Sequence, residues 1–241
     1  MNTGTIKEFS FHSTALDETL NLYIYVPSSY TPMMNYPLII AADGKDYIQL
    51  GRISSVMDHL IEDGDIDEAV IVAVPYKSVQ DRRDKYLPKG IKHQAYLQFL
   101  KHELLPYMHE NYCLSDDADD RTLIGDSQAA TVSLLGALAF PDTFGHVIMH
   151  SPLVNEDVLS IVQNTTDVKA VKMYHAVGKG ETEVRTTDHK IKDFLTPNRT
   201  LHALLVEKGF DTFYKELEGD HSWKTWQPDL KQAFIKNFNE L

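Results

Sequence analysis

Two uninterrupted apolar runs constrain the fold of this chain more than any other feature. Residues 37–42 read Pro-Leu-Ile-Ile-Ala-Ala, and residues 69–74 read Ala-Val-Ile-Val-Ala-Val. A strand without polar positions is covered on both faces, which is typical of parallel sheets. Residues 9–13 and 20–26 alternate apolar and polar side chains instead. These two segments predict antiparallel strands with one solvated face.

Helix-like and strand-like segments alternate along the rest of the chain. Apolar residues recur at helical spacing in residues 53–61 and 96–108, which predicts helices there. Further predicted strands are residues 121–124, 147–149, 173–177 and 213–217, and further predicted helices are residues 129–139, 158–162, 198–208 and 230–238. The alternation predicts an α/β fold with a mostly parallel central sheet, N-terminal antiparallel strands and helices on both faces. Ligands bind at the carboxyl ends of such strands, where the sequence places Asp43, Ser127, Ser151 and Glu181.

Composition narrows the class of protein. The chain has 241 residues, of which 43% are hydrophobic and 24% are charged, and this is typical of a soluble globular protein. No linker or repeat divides it, so we expect one domain over residues 1–241. The net charge of −12 disfavours nucleic acid or an anionic membrane as a partner, because either surface would repel the chain.

The sequence predicts a cytoplasmic protein. Residues 1–27 lack a basic segment followed by an apolar one, and no apolar stretch is long enough to span a membrane. The single cysteine, Cys113, has no partner for an internal disulfide, which suits a reducing compartment. We expect Cys113 to have a structural role.

Residues 123–130, Leu-Ile-Gly-Asp-Ser-Gln-Ala-Ala, join an apolar run to a Gly-x-Ser-x-Ala turn and the start of a helical segment. This is the pattern of a strand, a strained turn that exposes a serine, and a helix. The small residues Gly125 and Ala129 leave room for such a turn. It would present the Ser127 hydroxyl beside the backbone N–H of Gln128, at the positive end of the helix. The alternative is a Gly-Asp-Ser surface turn without chemistry.

A serine nucleophile needs a base and a carboxylate that orients the base. His221, in a Gly-Asp-His loop after the last predicted strand, is the strongest base candidate. Glu181 is our first choice for the acid, because it follows the predicted strand at residues 173–177. Glu183 and Asp188 remain alternatives. The chain order Ser, acid, His is the order of α/β-hydrolases.

The loop after the third predicted strand, residues 43–46, is the expected source of a second oxyanion donor. The backbone N–H of Lys45 is the group we expect to supply it. The predicted substrate-binding residues are Asp43, Arg82, Tyr86 and Trp223. The sequence contains no zinc, calcium, phosphate-loop or dinucleotide motif, so we expect neither a metal nor a cofactor.

Over residues 20–238 the chain resembles the putative-esterase family of α/β-hydrolases, which includes enterochelin esterases, feruloyl esterases, S-formylglutathione hydrolase and mycolyltransferases. The resemblance is carried by Asp43-Gly44, residues 82–86, 103–107, 125–130 and 140–145, Ser151-Pro152, and residues 178–181 and 219–223. It implies an α/β-hydrolase fold, a triad of Ser127, His221 and Glu181, and an oxyanion hole made by the N–H groups of Gln128 and Lys45.

One departure from the family pattern concerns activity. In the family the pattern is usually Gly-x-Ser-x-Gly-Gly, whereas this chain has Ala129 and Ala130 in place of the last two glycines.

We predict a serine hydrolase that cleaves a small-molecule carboxylic ester or thioester through an acyl-enzyme, as a monomer or homodimer. The alternatives are an acyltransferase with the same triad and a retired hydrolase that binds a ligand or partner without turnover.

Overall fold

A computed structural model describes residues 3–166 and 171–239. The strands are β1 (Thr5–Ser13), β2 (Glu18–Val26), β3 (Leu38–Ala42), β4 (Val70–Val74), β5 (Arg121–Asp126), β6 (His146–His150), β7 (Lys172–Gly178), β8 (Val184–Arg185), β9 (Ile191–Lys192) and β10 (Asp211–Leu217). The helices are α1 (Gly44–Gln49), α2 (Ile53–Asp63), α3 (Val79–Tyr86), α4 (His93–Phe99), α5 (Leu105–Asn111), α6 (Gln128–Ala139), α7 (Glu156–Asn164), α8 (Leu195–Lys208) and α9 (Trp223–Asn239).

An eight-stranded sheet with the order β1-β2-β4-β3-β5-β6-β7-β10 forms the centre of the fold. Strands β1 and β2 pair antiparallel, and β2 pairs antiparallel with β4. The pairs from β4 to β10 are parallel. The predicted α/β fold class is therefore confirmed. Because β3, β5, β6 and β7 are parallel neighbours, the loops after them meet at one edge of the sheet.

Burial explains the apolar runs that predicted this sheet. Every residue of β3 and β4 is buried, since helices cover both faces. On one face, a core cluster joins the sheet to α1, α2 and α9. On the other face, a second cluster joins it to the helices from α3 to α8. Strand β1 is mostly exposed, which accounts for its alternating sequence.

Several short elements were not predicted from the sequence. Helix α1 has six residues, too few for a helical period to show. The hairpin of β8 and β9 has two residues in each strand. Helix α3 is highly charged and depends on a cap, since its Asp81 N–H donates to Ser78 Oγ at 3.2 Å. The helix predicted at residues 96–108 is continued between α4 and α5 by a π-helical turn at Leu100–Leu104.

The last helix is longer than the sequence predicted. Helix α9 begins at Trp223, seven residues before its predicted start at residue 230, and Pro228 lies within it. Cys113 is unpaired, and its Sγ lies 3.4 Å from the carbonyl oxygen of Pro32. Across the two described ranges, every helix is too short or too polar to cross a lipid bilayer.

Candidate active site

Ser127 lies in the tight turn between β5 and α6. Its backbone has φ 53° and ψ −121°, a strained conformation for a residue with a side chain. Neighbouring backbone holds the turn in place: the Ser127 N–H donates to the His150 carbonyl at 2.9 Å, and its carbonyl accepts from the Leu153 N–H at 3.2 Å. A Cβ at Gly125 would lie 2.2 Å from the carbonyl carbon of Ala129. The turn therefore requires glycine at position 125.

Gly125→Ala should lower the free energy of unfolding by about 3 kcal/mol or more, because the atoms that its methyl group meets are backbone and cannot move aside. Gly136→Ala is the matched control in α6. Its added methyl meets the flexible end of the Leu123 side chain at 2.9 Å, and alanine favours a helix by about 1 kcal/mol over glycine. Urea unfolding of both variants measures the difference. Equal stabilities would contradict the close packing at this turn.

His221 lies in the loop between β10 and α9 and contacts both of its predicted partners. Its Nε2 is 2.9 Å from Ser127 Oγ, and its Nδ1 is 2.6 Å from Glu181 Oε2. The imidazole packs against the rings of Phe194 and Trp226, with centroid distances of 4.2 Å and 4.9 Å. These contacts restrict the ring to the orientation that joins the serine to the carboxylate.

Of the three candidate acids, Glu181 is the one that contacts His221. Glu181 is fully buried. Glu183 is exposed, and Asp188 accepts a hydrogen bond from Thr186 within the β8–β9 hairpin. The sequence ranked Glu181 first but kept Glu183 and Asp188 as alternatives, because all three acids follow β7 within ten residues.

Ser151 holds the other oxygen of Glu181, a role that the sequence analysis did not assign. Ser151 Oγ–H donates to Glu181 Oε1 at 2.5 Å, and the Gly178 N–H donates to the same oxygen at 2.8 Å. Trp226 Nε1–H donates to Ser151 Oγ at 2.9 Å. Both side chains are buried. A relay of hydrogen bonds thus runs from Trp226 through Ser151 and Glu181 to His221.

Ser151→Ala should reduce kcat for an ester about tenfold with little change in KM, because the carboxylate keeps its charge but loses one of the groups that orient it. Steady-state kinetics at saturating and limiting substrate separates kcat from KM. A lower melting temperature with unchanged kcat would contradict this positioning role and leave Ser151 a purely structural residue.

The predicted oxyanion donors lie at the starts of two helices. Gln128 is the first residue of α6, and Lys45 is the second residue of α1. The first N–H groups of a helix have no partner within it, and they carry partial positive charge. Gly44 allows α1 to approach β4, since a Cβ there would lie 2.4 Å from the Val74 nitrogen. The assignment of both N–H groups to an oxyanion hole stays a prediction.

A cavity of about 480 Å³ opens at Ser127, within the usual range for small-molecule sites. Its lining includes aromatic side chains, charged and polar side chains, and residues 184–187 of the β8–β9 hairpin. The lining residues are Asp43, Asp46, Leu50, Tyr76, Arg82, Asp126, Ser127, Gln128, Leu153, Val184, Arg185, Thr186, Thr187, Phe194, His221, Ser222, Trp223, Lys224 and Trp226. Three predicted substrate-binding residues, Asp43, Arg82 and Trp223, are among them.

Tyr86, the fourth predicted substrate-binding residue, lies behind the cavity. It is fully buried, and its hydroxyl accepts a hydrogen bond from the Asp43 N–H at 3.1 Å. Substrate-contacting residues need a surface on the cavity, so we assign Tyr86 to positioning Asp43 and correct our expectation of direct contact. The sequence did not distinguish contact with the substrate from positioning of Asp43, because either role places an aromatic residue after β4.

Arg82 and Asp43 form an ion pair in the cavity lining, in which Asp43 is buried and Arg82 is partly exposed. Arg82 Nε donates to Asp43 Oδ2 at 2.8 Å and to Oδ1 at 3.0 Å, and Nη2 also contacts Oδ2. Burial lowers the pKa of the Arg82 guanidinium, but the charges of Asp43 and Asp126 outweigh that effect and raise the pKa. Burial, and then the negative charge of Asp43, raises the pKa of the Asp126 carboxyl well above its usual range.

His150 ends β6, directly before Ser151. It is fully buried, and its Nε2 lies 3.1 Å from Asp229 Oδ2. It is absent from the lining of the cavity at Ser127, and it supports the site through its carbonyl, which accepts the Ser127 N–H. Within residues 3–166 and 171–239, no three His, Cys, Asp or Glu side chains are grouped as a metal site.

The sequence of this chain is similar to those of known proteins. The sequence model of the family described as Putative esterase matches residues 13–237. The uncharacterized protein YjcH of Bacillus subtilis (strain 168) is 45% identical over 233 residues, which cover 97% of each chain. The iron(III) enterobactin esterase of Escherichia coli (strain K12) is 23% identical over 235 residues, or 98% of this chain. This chain spans 58% of the length of that esterase.

Solved structures share the fold. A ferulic acid esterase superposes with a TM-score of 0.80 at 17% identity, covering 99% of this chain and 100% of the other. The enterochelin esterase of Shigella flexneri superposes with a TM-score of 0.82 at 20% identity, covering 97% of this chain and 58% of the other. At such identities the likeness establishes the shared α/β architecture.

Proposed function

Because this chain belongs to the putative esterase family, we propose that it is a serine hydrolase that cleaves carboxylic esters through an acyl-enzyme. Ser127 is the nucleophile, His221 the general base and Glu181 the carboxylate that orients it. The observation that carries the proposal is the unbroken chain of contacts from Ser127 Oγ to His221 at 2.9 Å and from His221 to Glu181 at 2.6 Å.

The reaction follows from these contacts. His221 Nε2 accepts the Ser127 proton as Oγ attacks the ester carbonyl, and the Glu181 carboxylate stabilises the resulting imidazolium. The N–H groups of Gln128 and Lys45 are the proposed donors to the oxyanion. His221 then returns the proton to the leaving alcohol, which leaves an acyl group on Ser127. Water, activated by His221 in the same way, hydrolyses that acyl-enzyme.

Related enzymes suggest the type of ester. The proteins that this chain resembles include an iron(III) enterobactin esterase and a ferulic acid esterase. The proposed reaction class is carboxylic ester hydrolysis, and the aromatic side chains of Phe194, Trp223 and Trp226 in the cavity lining offer apolar surface to the substrate.

Fluorophosphonate labelling of the purified protein tests the proposal, together with hydrolysis of p-nitrophenyl acetate by the same sample. We expect labelling at Ser127, located by peptide mapping, and release of p-nitrophenol. Product analysis with added alcohols distinguishes hydrolysis from acyl transfer. Absence of both labelling and turnover would contradict the proposal and favour a protein that binds its ligand without cleaving it, with Ala129 and Ala130 as the first residues to examine.

A further inference from the structure

Arg82 contacts both of the loops that precede the proposed oxyanion donors. Its Nε donates to Asp43 Oδ2 at 2.8 Å and to Oδ1 at 3.0 Å, and its Nη2 donates to the carbonyl oxygen of Asp126 at 3.2 Å. Asp43 directly precedes α1, and Asp126 directly precedes Ser127. One rigid guanidinium therefore joins the loop after β3 to the turn after β5.

Asp43 forms the start of the first turn of α1, which contains the N–H of Lys45. Its backbone is left-handed, with φ 55° and ψ 36°, and its carbonyl oxygen accepts the N–H groups of Asp46 at 2.8 Å and Tyr47 at 3.2 Å. A left-handed residue other than glycine depends on support from its surroundings. Arg82 gives that support at the carboxylate of Asp43. The position of the Lys45 N–H thus depends on this ion pair.

The peptide group between Asp126 and Ser127 is bound at both of its polar atoms. Its carbonyl oxygen accepts from Arg82, and its N–H donates to the carbonyl oxygen of His150 at 2.9 Å. The next N–H along the chain is that of Gln128, the other proposed oxyanion donor. Because this peptide group sets where the strained turn begins, its two hydrogen bonds restrict the orientation of the Gln128 N–H.

We infer that Arg82 is a positioning residue that sets the distance between the two proposed oxyanion donors, the N–H groups of Lys45 and Gln128. Such donors stabilise an oxyanion only when both lie about 2.7–3.1 Å from its oxygen. A misplacement of about 1 Å in a catalytic site can cost about 10²-fold in rate. The inference rests on the proposed ester hydrolysis and adds to it the residue that joins the two donor loops.

Direct contact with the substrate is the alternative role for Arg82, because the residue lines the cavity. The two roles predict different kinetics. A residue that binds the substrate equally well in its ground state and transition state changes KM, whereas one that positions donors for the transition state changes kcat. The geometry favours positioning, since Nε and Nη2 already donate to the protein and 12% of the Arg82 side chain is exposed.

Arg82→Gln tests the inference. We expect kcat for p-nitrophenyl acetate to fall by about 30-fold to 100-fold, because acylation and deacylation both pass through an oxyanion. KM should change by less than about threefold. Steady-state kinetics measures both constants, and titration with a fluorophosphonate counts the active sites in each sample. A higher KM with unchanged kcat would overturn the inference in favour of substrate contact.

Arg199→Gln is the matched control, because Arg199 also forms a two-point ion pair. Its Nε donates to Glu216 Oε1 at 2.7 Å and its Nη2 to Oε2 at 2.9 Å. Arg199 is exposed and lies outside the cavity lining, so this variant should keep the wild-type kcat. An equal loss of kcat in both variants would show that Arg82 has no special role.

Arg82→Lys keeps a positive charge beside Asp43 and provides a measurement if Arg82→Gln does not fold. An ammonium group lacks the planar fork that reaches Asp43 and the Asp126 carbonyl together. We expect kcat to fall about tenfold, with a melting temperature within a few degrees of the wild type. A wild-type kcat in this variant would show that charge alone is sufficient, and the inference would be wrong.

Trifluoromethyl pentyl ketone reports on the oxyanion donors themselves. Ser127 Oγ adds to its carbonyl carbon, the hydroxyl proton moves to His221, and the former carbonyl oxygen becomes an oxyanion, so the adduct resembles the tetrahedral intermediate. We expect Arg82→Gln to raise the inhibition constant by about the factor by which it lowers kcat/KM. An unchanged inhibition constant would show that Arg82 does not act on the oxyanion donors and would refute the inference.

Asp43→Asn tests whether Arg82 acts through Asp43. The variant with both Asp43→Asn and Arg82→Gln should lose no more kcat than the single variant with the larger loss, because two residues that act as a unit have non-additive effects. Losses that multiply in the double variant would contradict this route to the Lys45 N–H.

The same samples separate this inference from the proposed function. If the wild-type protein hydrolyses p-nitrophenyl acetate and Arg82→Gln has the wild-type kcat, the inference about Arg82 is wrong and the hydrolase proposal stands. If the wild-type protein neither hydrolyses the ester nor is labelled at Ser127, the proposed hydrolysis is wrong, and the inference falls with it.

Discussion

Ser127→Ala should lower kcat for p-nitrophenyl acetate by about 10⁴-fold to 10⁶-fold, since no other group can form the acyl-enzyme. The effect on stability should be small. The Ser127 hydroxyl has His221 Nε2 as its described partner, and alanine keeps the Cβ that the strained turn already tolerates. The melting temperature of the variant should stay within a few degrees of the wild type, as measured by circular dichroism.

The matched control is Ser133→Ala, the same substitution in α6 at a buried serine outside the cavity lining. Its ester hydrolysis should equal that of the wild type. Both variants need the same purification, because traces of a host esterase would mimic residual activity. Undiminished turnover by Ser127→Ala in a clean preparation would remove Ser127 from the mechanism.

Glu181→Gln should lower kcat by about 10³-fold to 10⁴-fold, although glutamine has the same shape. The reason lies in the donors around the carboxylate. Ser151 Oγ–H and the Gly178 N–H both donate to Oε1, so a glutamine would keep its carbonyl oxygen there and turn its NH₂ group toward His221. The imidazole would then accept at Nδ1 and carry its proton on Nε2. That tautomer cannot accept the Ser127 proton.

Glu183→Gln is the control for this variant, because it removes the same charge two residues away without touching His221. It should hydrolyse esters at the wild-type rate. Stopped-flow or steady-state release of p-nitrophenol measures both variants under saturating substrate. If the Glu183 variant lost activity and the Glu181 variant retained it, the acid of the triad would be misassigned.

The fold was predictable because burial leaves a direct record in the sequence. A strand covered on both faces must be apolar throughout, and this is why β3 and β4 could be recognised before the structure. The family resemblance, which the match over residues 13–237 confirms, rests on local motifs of the same kind. The elements that escaped prediction, such as α1 and the β8–β9 hairpin, are too short for a periodic pattern to form.

The candidate site was predictable only in part. A nucleophile in a strained turn needs small neighbours close in the sequence, so Ser127 and Gly125 could be identified from one short motif. His221 could be identified from the loop after the last strand. Glu181 ranked first for the acid, but spacing did not exclude Glu183 or Asp188, since the difference lies in which carboxylate is buried against His221.

The sequence by itself determined the order of the longer strands and helices, the turn that presents Ser127 and the candidates for its partners, because these depend on neighbours along the chain. Only the tertiary structure decided that Glu181 contacts His221, that Trp226 donates to Ser151 and Ser151 to Glu181, and that Tyr86 lies behind Asp43. The physical reason is that burial and hydrogen bonding between distant segments depend on how parallel strands bring their loops together, and no local pattern encodes those distances.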